Sequence, residues 1–212
     1  MKTFEIYNKF NVPPILQKHM VGVASVASFI TTNWMGENIN NEKLILLCLL
    51  HDLGNIVRMD FDKQLGSDDD YLDTKIWKLK KQEMIEKYGS VDDEVTEKIL
   101  QEIGIDRDIS KTIFNKRFSN SIVIANSNDW MLKILLYSDL RVLPGGMGTL
   151  QQRLDEVLSR RVDLSSRNDI DLLCDACRKI EKDIQKYVTK PLDDINKLEI
   201  DNSLLNTIVV IQ

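Results

Sequence analysis

The chain has 212 residues, of which 43% are hydrophobic and 29% charged, and its net charge is −5. This length suits one domain with a sizeable core, and the composition excludes the disordered and fibrous classes. The negative charge argues against a surface that coats nucleic acid, and the longest apolar run, residues 44–50, is too short to span a bilayer.

Two strong helices are predicted in the first quarter of the chain. The first opens at the sequence VPP, because proline is tolerated in the first turn of a helix, and its apolar face carries His19. The second is capped by Asn40 or Asn41, contains the run LILLCLL and ends near Gly54. The acidic segment from Asp60 to Asp73 has no helical period and is interpreted as a loop and a candidate flap.

Helical periodicity continues through the rest of the chain. Further helices are predicted from about residue 74, around 95–103 and 109–114, over 130–143, over 150–161 and over 168–188. The segment PGGMG is predicted as a loop, and the C-terminal LLNTIVVIQ as a helix or a short strand. The fold class is therefore predicted to be all-α, with residues 1–212 forming a single-domain helical bundle.

The three cysteines predict a reducing compartment. Because the N-terminus lacks the apolar region of a signal peptide, Cys48, Cys174 and Cys177 are most simply free thiols, and the cytoplasm is the predicted location. Cys174 and Cys177 fall on the apolar face of a predicted helix. We expect them to pack in the core, since structural zinc would need two further ligands.

Three predicted helices each bring an ionisable side chain to a face that otherwise resembles core. His19 lies on the first, His51 ends the apolar run of the second, and Asp139 lies on the helix that begins near residue 130. Asp52 follows His51 directly. A buried carboxylate needs either a cationic side chain or a metal ion beside it. Imidazole together with carboxylate suits Mn, Fe, Co, Ni or Zn, and suits Mg less well.

Each of these residues also has a simpler interpretation. A lone histidine on an apolar face, such as His19, is more often a hydrogen-bonded core residue than a ligand. Asp52 is also explained by capping of a turn, and Asp139 by an ion pair with Arg141 or another arginine. A metal site is excluded only if the simpler interpretation is correct for every one of these residues at once. The doublet His51-Asp52 at a helix end, followed by Leu-Gly, favours the metal site.

The order His19, His51-Asp52, Asp139 resembles the H…HD…D signature of the HD-domain superfamily of metal-dependent phosphohydrolases. The contexts LQKHMVGVASVA, LLHDLGN and LLYSDLRV are similar to those of the family, and the resemblance covers about residues 10–160. It implies a metal-binding helical core over 10–160, on which C-terminal helices from 161–212 pack. It further implies one divalent ion (Mn, Co, Fe, Ni, Zn or Mg) held by the four signature residues, with Asp52 also orienting the attacking water.

The chain departs from the family pattern in two places. Many members have lysine, and the small 5′-deoxynucleotidase branch has glutamate, where this chain has Asn55. Asparagine cannot transfer a proton and is left to orient water or phosphate. Dinuclear members need additional histidines, and the chain has no third one, so a mononuclear site is expected. A second ion held by carboxylates alone, with Asp92 or Asp93 contributing, is the remaining alternative.

The function expected from the resemblance is hydrolysis of a small phosphorylated metabolite, with a nucleoside monophosphate as the first candidate. Asn55, Arg58 and Arg141 are the predicted substrate-binding residues, and Lys63 is another cation near the ligands. Two other interpretations stay open: a catalytically idle HD-like domain that binds a nucleotide or a protein, and a purely structural helical domain. No nucleic-acid or membrane partner is expected, and a homo-oligomer is a candidate assembly.

Overall fold

A computed structural model of the chain describes residues 1–62, 73–160 and 167–209. Within these ranges the α-helices are α1 (Thr3–Lys9), α2 (Pro14–Thr32), α3 (Asn41–Leu50), α4 (Thr74–Tyr88), α5 (Asp92–Glu102), α6 (Arg107–Asn115), α7 (Ser121–Asn126), α8 (Trp130–Leu140), α9 (Leu150–Arg160) and α10 (Arg167–Gln185). Short 3-10 helices span Asn55–Arg58, Phe118–Asn120, Leu192–Lys197 and Asn202–Asn206. The predicted all-α class is confirmed.

The central helix of the fold is α2, which packs against both α3 and α8. It begins at Pro14, as the VPP sequence predicts, and is buried around most of its circumference. A helix that is apolar on all sides needs neighbours on all sides, and α3 is equally apolar. This packing brings the C-terminal ends of α3 and α8 to the N-terminal half of α2, where His19 lies.

Regular strand structure in the described ranges is confined to one small hairpin, which differs from the predicted PGGMG loop. Strands β1 (Val142–Leu143) and β2 (Gly146–Met147) are antiparallel, with Leu143 opposite Gly146. Gly146 has a φ of 117°, a backbone conformation that glycine adopts without steric cost. The helix predicted over 130–143 therefore ends at Leu140, and the chain turns back over α2.

The C-terminal region wraps around the helical core. Helix α10 packs against α7 and α8, and the following residues pair with the end of α2 through a bridge between Trp34 and Val188. The last described residues, which were predicted as a helix or a short strand, form the 3-10 helix Asn202–Asn206 and one bridge between Ile208 and Lys2. All three cysteines are free and buried.

Other predictions concern residues outside the described ranges. Most of the candidate flap, residues 63–72, and the predicted end of α9 at residue 161 lie there, as does Lys63. Among the helices that are described, none is both long enough and apolar enough to cross a bilayer.

An ionic cluster joins α4 to α5, and it should make the stability of the fold depend on pH. The Tyr88 hydroxyl donates to Glu102 Oε2 at 2.6 Å, while Lys87 and Lys9 lie 3.2 Å from the same carboxylate. The hydrogen bond from Tyr88, aided by the lysines, lowers the pKa of Glu102 from 4.5 to about 2. A lowered pKa stabilises the fold above pH 4.5, and this contribution disappears as the pH falls toward 2.

We expect Tyr88→Phe to raise the Glu102 pKa toward its ordinary value. Because Glu102 is about one-third exposed, the loss of unfolding free energy at pH 7 should be only about 1 kcal/mol. Carbon-13 NMR titration of the carboxyl groups and urea unfolding measure the two effects. Tyr187→Phe, in the aromatic cluster with Trp34 and Trp130, is the control. An unshifted Glu102 titration in Tyr88→Phe would contradict the assignment.

Candidate metal centre

A cavity of about 790 Å³ opens where α2, α3, α6 and α8 meet. Its walls include apolar residues from α2, α8 and the hairpin, and one end is strongly polar. The side chains at the polar end are His19, His51, Asp52, Lys116 and Asp139. The four signature residues therefore lie together, although the first and last are 120 positions apart in the chain.

His19 projects from α2 toward the end of α8. Its Nε2 lies 3.1 Å from Asp139 Oδ1 and 3.8 Å from Asp52 Oδ2, and about one-fifth of the side chain is exposed to the cavity. The ring of His51 stands 5.5 Å away, at an angle of 66°. The two imidazoles thus approach the carboxylates from different directions.

His51 is held rigidly by the helix end on which it lies. Its Nδ1 donates to the Cys48 carbonyl oxygen at 2.8 Å; a carbonyl only accepts, so Nδ1 carries the hydrogen. Its Nε2 lies 3.4 Å from Asp52 Oδ1 and 3.6 Å from Asp139 Oδ1. Among the described residues this fully buried atom has no hydrogen-bond partner. An unpaired, buried nitrogen that faces carboxylates is the arrangement expected of a metal-ligating imidazole.

The donor set fits a divalent transition metal. One ligand atom from each of His19, His51 and Asp139 lies within 4.8 Å of the others. Asp52 lies beside this group but presents a different oxygen atom to each histidine, Oδ2 at 3.8 Å from His19 Nε2 and Oδ1 at 3.4 Å from His51 Nε2. Two imidazoles and two carboxylates match the preferences of Zn²⁺, Mn²⁺ and Fe²⁺ better than those of Mg²⁺.

Lys116 is the functional residue that sequence reasoning missed. It follows the last residue of α6, and its Nζ lies 2.5 Å from Asp139 Oδ2 and 3.7 Å from Asp52 Oδ1. Only 11% of its side chain is exposed. The partner of Asp139 is therefore Lys116 and not Arg141. In the sequence Lys116 stands in the polar segment FNKRF, and nothing in that segment distinguishes it from a surface lysine.

The charged side chains at the polar end of the cavity shift one another's pKa values. Burial opposes the charged form of His51, but the carboxylates of Asp52 and Asp139 outweigh it and raise the pKa of His51 to about 9. Burial likewise opposes ionisation of both carboxyl groups. The positive charges of His51 and Lys116 nevertheless hold the pKa of Asp52 and that of Asp139 below the usual range. Despite its burial, the pKa of Lys116 is raised by the same two carboxylates.

Gly54 positions the His51-Asp52 doublet for a reason that the sequence did not reveal. The sequence placed Gly54 where the second helix ends, a position at which glycine often has a positive φ, yet its φ of −88° is ordinary for any residue. A Cβ atom here would lie 2.5 Å from the Asp92 carbonyl oxygen and 2.6 Å from the Thr96 nitrogen. The Gly54 amide also donates to Thr96 Oγ1 at 3.0 Å. Glycine is required because the backbone of α5 approaches closely.

We therefore expect Gly54→Ala to separate the doublet from α5. The clash is with backbone atoms, so it should cost about 1–3 kcal/mol of unfolding free energy. Urea unfolding measures the cost, and the metal content of the purified protein shows whether the doublet has moved. Gly145→Ala is the control, because a Cβ there meets no described atom within 4 Å. Equal stability of the two variants would contradict the role given to Gly54.

Of the three predicted substrate-binding residues, two line the cavity and one does not. Asn55 begins the 3-10 helix after the doublet and lines the cavity. Arg58 also lines it, at the rim, where its largely exposed guanidinium donates to Asp92 Oδ2 at 2.8 Å. Asp93 lies at the same rim and pairs with Arg117. The carboxylates of Asp92 and Asp93 are thus already compensated by arginines.

Arg141 is not brought to the site, which corrects the expectation that it contacts substrate. It is 1% exposed, and its guanidinium lies inside the fold behind α8. Its donors bind Gly148 O at 2.5 Å, Asn196 Oδ1 at 2.8 Å, Leu192 O at 3.3 Å and the Tyr137 hydroxyl. Because every nitrogen is engaged, Arg141 ties the hairpin and the C-terminal segment to α8.

Comparison with known proteins gives one match. A protein-family model described as "HD domain" matches residues 16–131, more than half of the chain. The match includes His19, His51 and Asp52 and ends eight positions before Asp139. No curated protein and no solved structure matched the chain.

Proposed function

The chain belongs to the HD-domain family, and on that premise we propose that it is a metal-dependent phosphohydrolase that acts on a small phosphate ester. The observation that carries the proposal is the buried His51 Nε2, which has no hydrogen-bond partner in the described chain and faces His19, Asp52 and Asp139. A purely structural histidine would be expected to satisfy both ring nitrogens.

His19, His51, Asp52 and Asp139 would hold the divalent ion. When bound, such an ion polarises a phosphoryl oxygen and lowers the pKa of a coordinated water. The hydrogen bond from His51 Nδ1 to Cys48 directs Nε2 toward the carboxylates, where a bound metal ion would replace the proton of the charged ring, as partners of metal-ligating histidines generally orient them. The rigid ends of α3 and α8 fix both carboxylates in advance.

The other polar residues of the cavity act on the substrate and the attacking water. Asp52, which borders the site from the end of α3, accepts a hydrogen bond from the attacking water and so orients it. Asn55 donates its amide hydrogens to a phosphoryl oxygen, and Arg58 attracts the anionic ester at the rim. Phosphoryl transfer depends chiefly on such positioning and on compensation of the oxygen charges.

The cavity suits an ester whose organic group is partly apolar. Its volume, about 790 Å³, is within the usual range for small-molecule sites, and its lining includes the apolar side chains of Leu143, Val157 and Ile200 as well as Arg153. A nucleoside monophosphate has the required charge at one end and a flat, weakly polar base at the other. It is therefore the first candidate within the proposed substrate class.

The proposal is tested by release of inorganic phosphate from nucleoside monophosphates and simpler phosphate esters. The chain would be stripped with chelator and reloaded in turn with Mn²⁺, Co²⁺, Zn²⁺ and Mg²⁺. We expect metal-dependent release by the wild type and none by His51→Ala, whose metal content should also fall. Release that persists in the chelator, or at wild-type rates in His51→Ala, would contradict the proposal.

A second candidate function is favoured by Lys116 and Asn55. The ammonium of Lys116 already compensates Asp139, and Asn55 cannot transfer a proton. Both features suit an HD-like domain that binds a nucleotide without hydrolysing it. That function predicts a higher melting temperature in the presence of nucleotide, with no phosphate released under any of the metals.

A further inference from the structure

Lys116 occupies a position that a second cation would otherwise take. The two oxygens of Asp139 are divided between partners: Oδ1 faces His19 and His51, while Oδ2 contacts the Lys116 Nζ at 2.5 Å. Asp52 Oδ1 lies 3.7 Å from the same Nζ. The ammonium thus shares both carboxylates with the proposed metal position without entering the group formed by the histidines.

This geometry leaves little space for another ion at Asp139. A divalent metal binds a carboxylate oxygen at about 2.0–2.2 Å, and the ammonium nitrogen already stands 2.5 Å from Oδ2. A metal ion therefore cannot bind Oδ2 on the side that the ammonium occupies. Coulomb repulsion adds to the steric conflict, because the ammonium lies within a poorly hydrated site.

The fold holds Lys116 in place from both sides. It directly follows the last residue of α6, a helix that is anchored in the core by Ile113 and packs against α3. The adjacent Arg117 is paired with Asp93 of α5. The backbone before and after the lysine is therefore attached to the two elements that frame the site.

We propose that Lys116 acts as a built-in cation that limits the centre to one metal ion. This inference rests on the proposed function, since it assumes that the four signature residues bind metal. It assigns to a protein side chain the charge compensation that a second ion provides in two-metal sites.

The test compares Mn²⁺ binding to wild type, Lys116→Glu and Lys116→Met. Glutamate supplies a carboxylate at the vacated position, whereas methionine only removes the charge and keeps an unbranched side chain. Lys133→Met is the matched control, because Lys133 is also buried but pairs with Asp183 at 3.7 Å. Bound Mn²⁺ per chain would be counted after equilibrium dialysis, and electron paramagnetic resonance would show whether bound ions are spin-coupled.

We expect about one Mn²⁺ per chain in wild type and in Lys133→Met, and about two spin-coupled ions in Lys116→Glu. Lys116→Met should bind a second ion at higher Mn²⁺ concentration, which keeps the test decisive if the glutamate variant does not fold. A single ion in both folded Lys116 variants would overturn the inference. Two ions in wild type would also overturn it, but would leave the metal site standing. No bound ion in wild type would instead overturn the proposed function and the inference together.

Discussion

Asp139→Asn is expected to lower the unfolding free energy of the metal-free protein by about 3 kcal/mol, because it removes one partner from a largely buried ion pair. The substitution leaves the Lys116 ammonium, only 11% exposed, without the carboxylate at 2.5 Å. Asp52, at 3.7 Å, compensates the ammonium only in part. Urea unfolding in the presence of chelator measures this loss.

The same substitution should also weaken metal binding by more than about 100-fold, since the loss of even an outer partner of a metal ligand costs 10–100-fold. Binding would be followed through the rise in melting temperature with added Mn²⁺. The double variant Asp139→Asn/Lys116→Met separates the two effects. It should regain most of the stability, because no buried charge remains unpaired, and it should still fail to respond to Mn²⁺. Recovery of the Mn²⁺ response would show that Asp139 is not a ligand.

Arg141→Met is expected to reduce the unfolding free energy by about 2–4 kcal/mol, since several buried acceptors lose their donors at once. Gly148 O and Leu192 O are backbone carbonyls of buried residues, and Asn196 loses its partner as well. Thermal and urea unfolding measure the loss. Activity per folded molecule should change little, because the guanidinium does not line the cavity.

The control for that experiment is Arg58→Met. The Arg58 side chain is 68% exposed and makes its ion pair at the cavity rim, so the change in stability should stay below about 0.5 kcal/mol. Its effect should instead appear in KM for an anionic substrate. The opposite pattern, with Arg58 controlling stability and Arg141 controlling KM, would exclude the structural role given to Arg141.

The sequence predicted the helices and the four signature residues because both leave local patterns. Helical period places His19 and Asp139 on apolar faces, and the apolar run that precedes His51 shows that a buried helix ends there. Lys116 left no comparable pattern. Its partner Asp139 is 23 positions away, and only the packing of α6 beside α3 turns an ordinary lysine toward the carboxylates.

For Arg141 and Gly54 a local sequence pattern was present, unlike for Lys116, but it suggested the wrong role for the residue. Arg141 is close to Asp139 in sequence. Side chains that are two positions apart on a helix point in directions about 200° apart, so the two residues do not contact each other. Gly54 follows a helix and resembles a turn residue. Its actual constraint, the approach of Asp92 and Thr96, comes from a helix that begins 38 positions later.

The distance along the chain between His19 and Asp139 has a consequence for folding kinetics. Their contact closes a loop of 120 positions, so it forms only after α2, α3 and α8 have docked. A ligand held by such contacts binds the native state and hardly binds earlier, partly folded states. Bound metal should therefore slow unfolding in proportion to its concentration while leaving the refolding rate nearly unchanged. The lifetime of the folded molecule, more than the speed at which it folds, would then depend on the supply of metal.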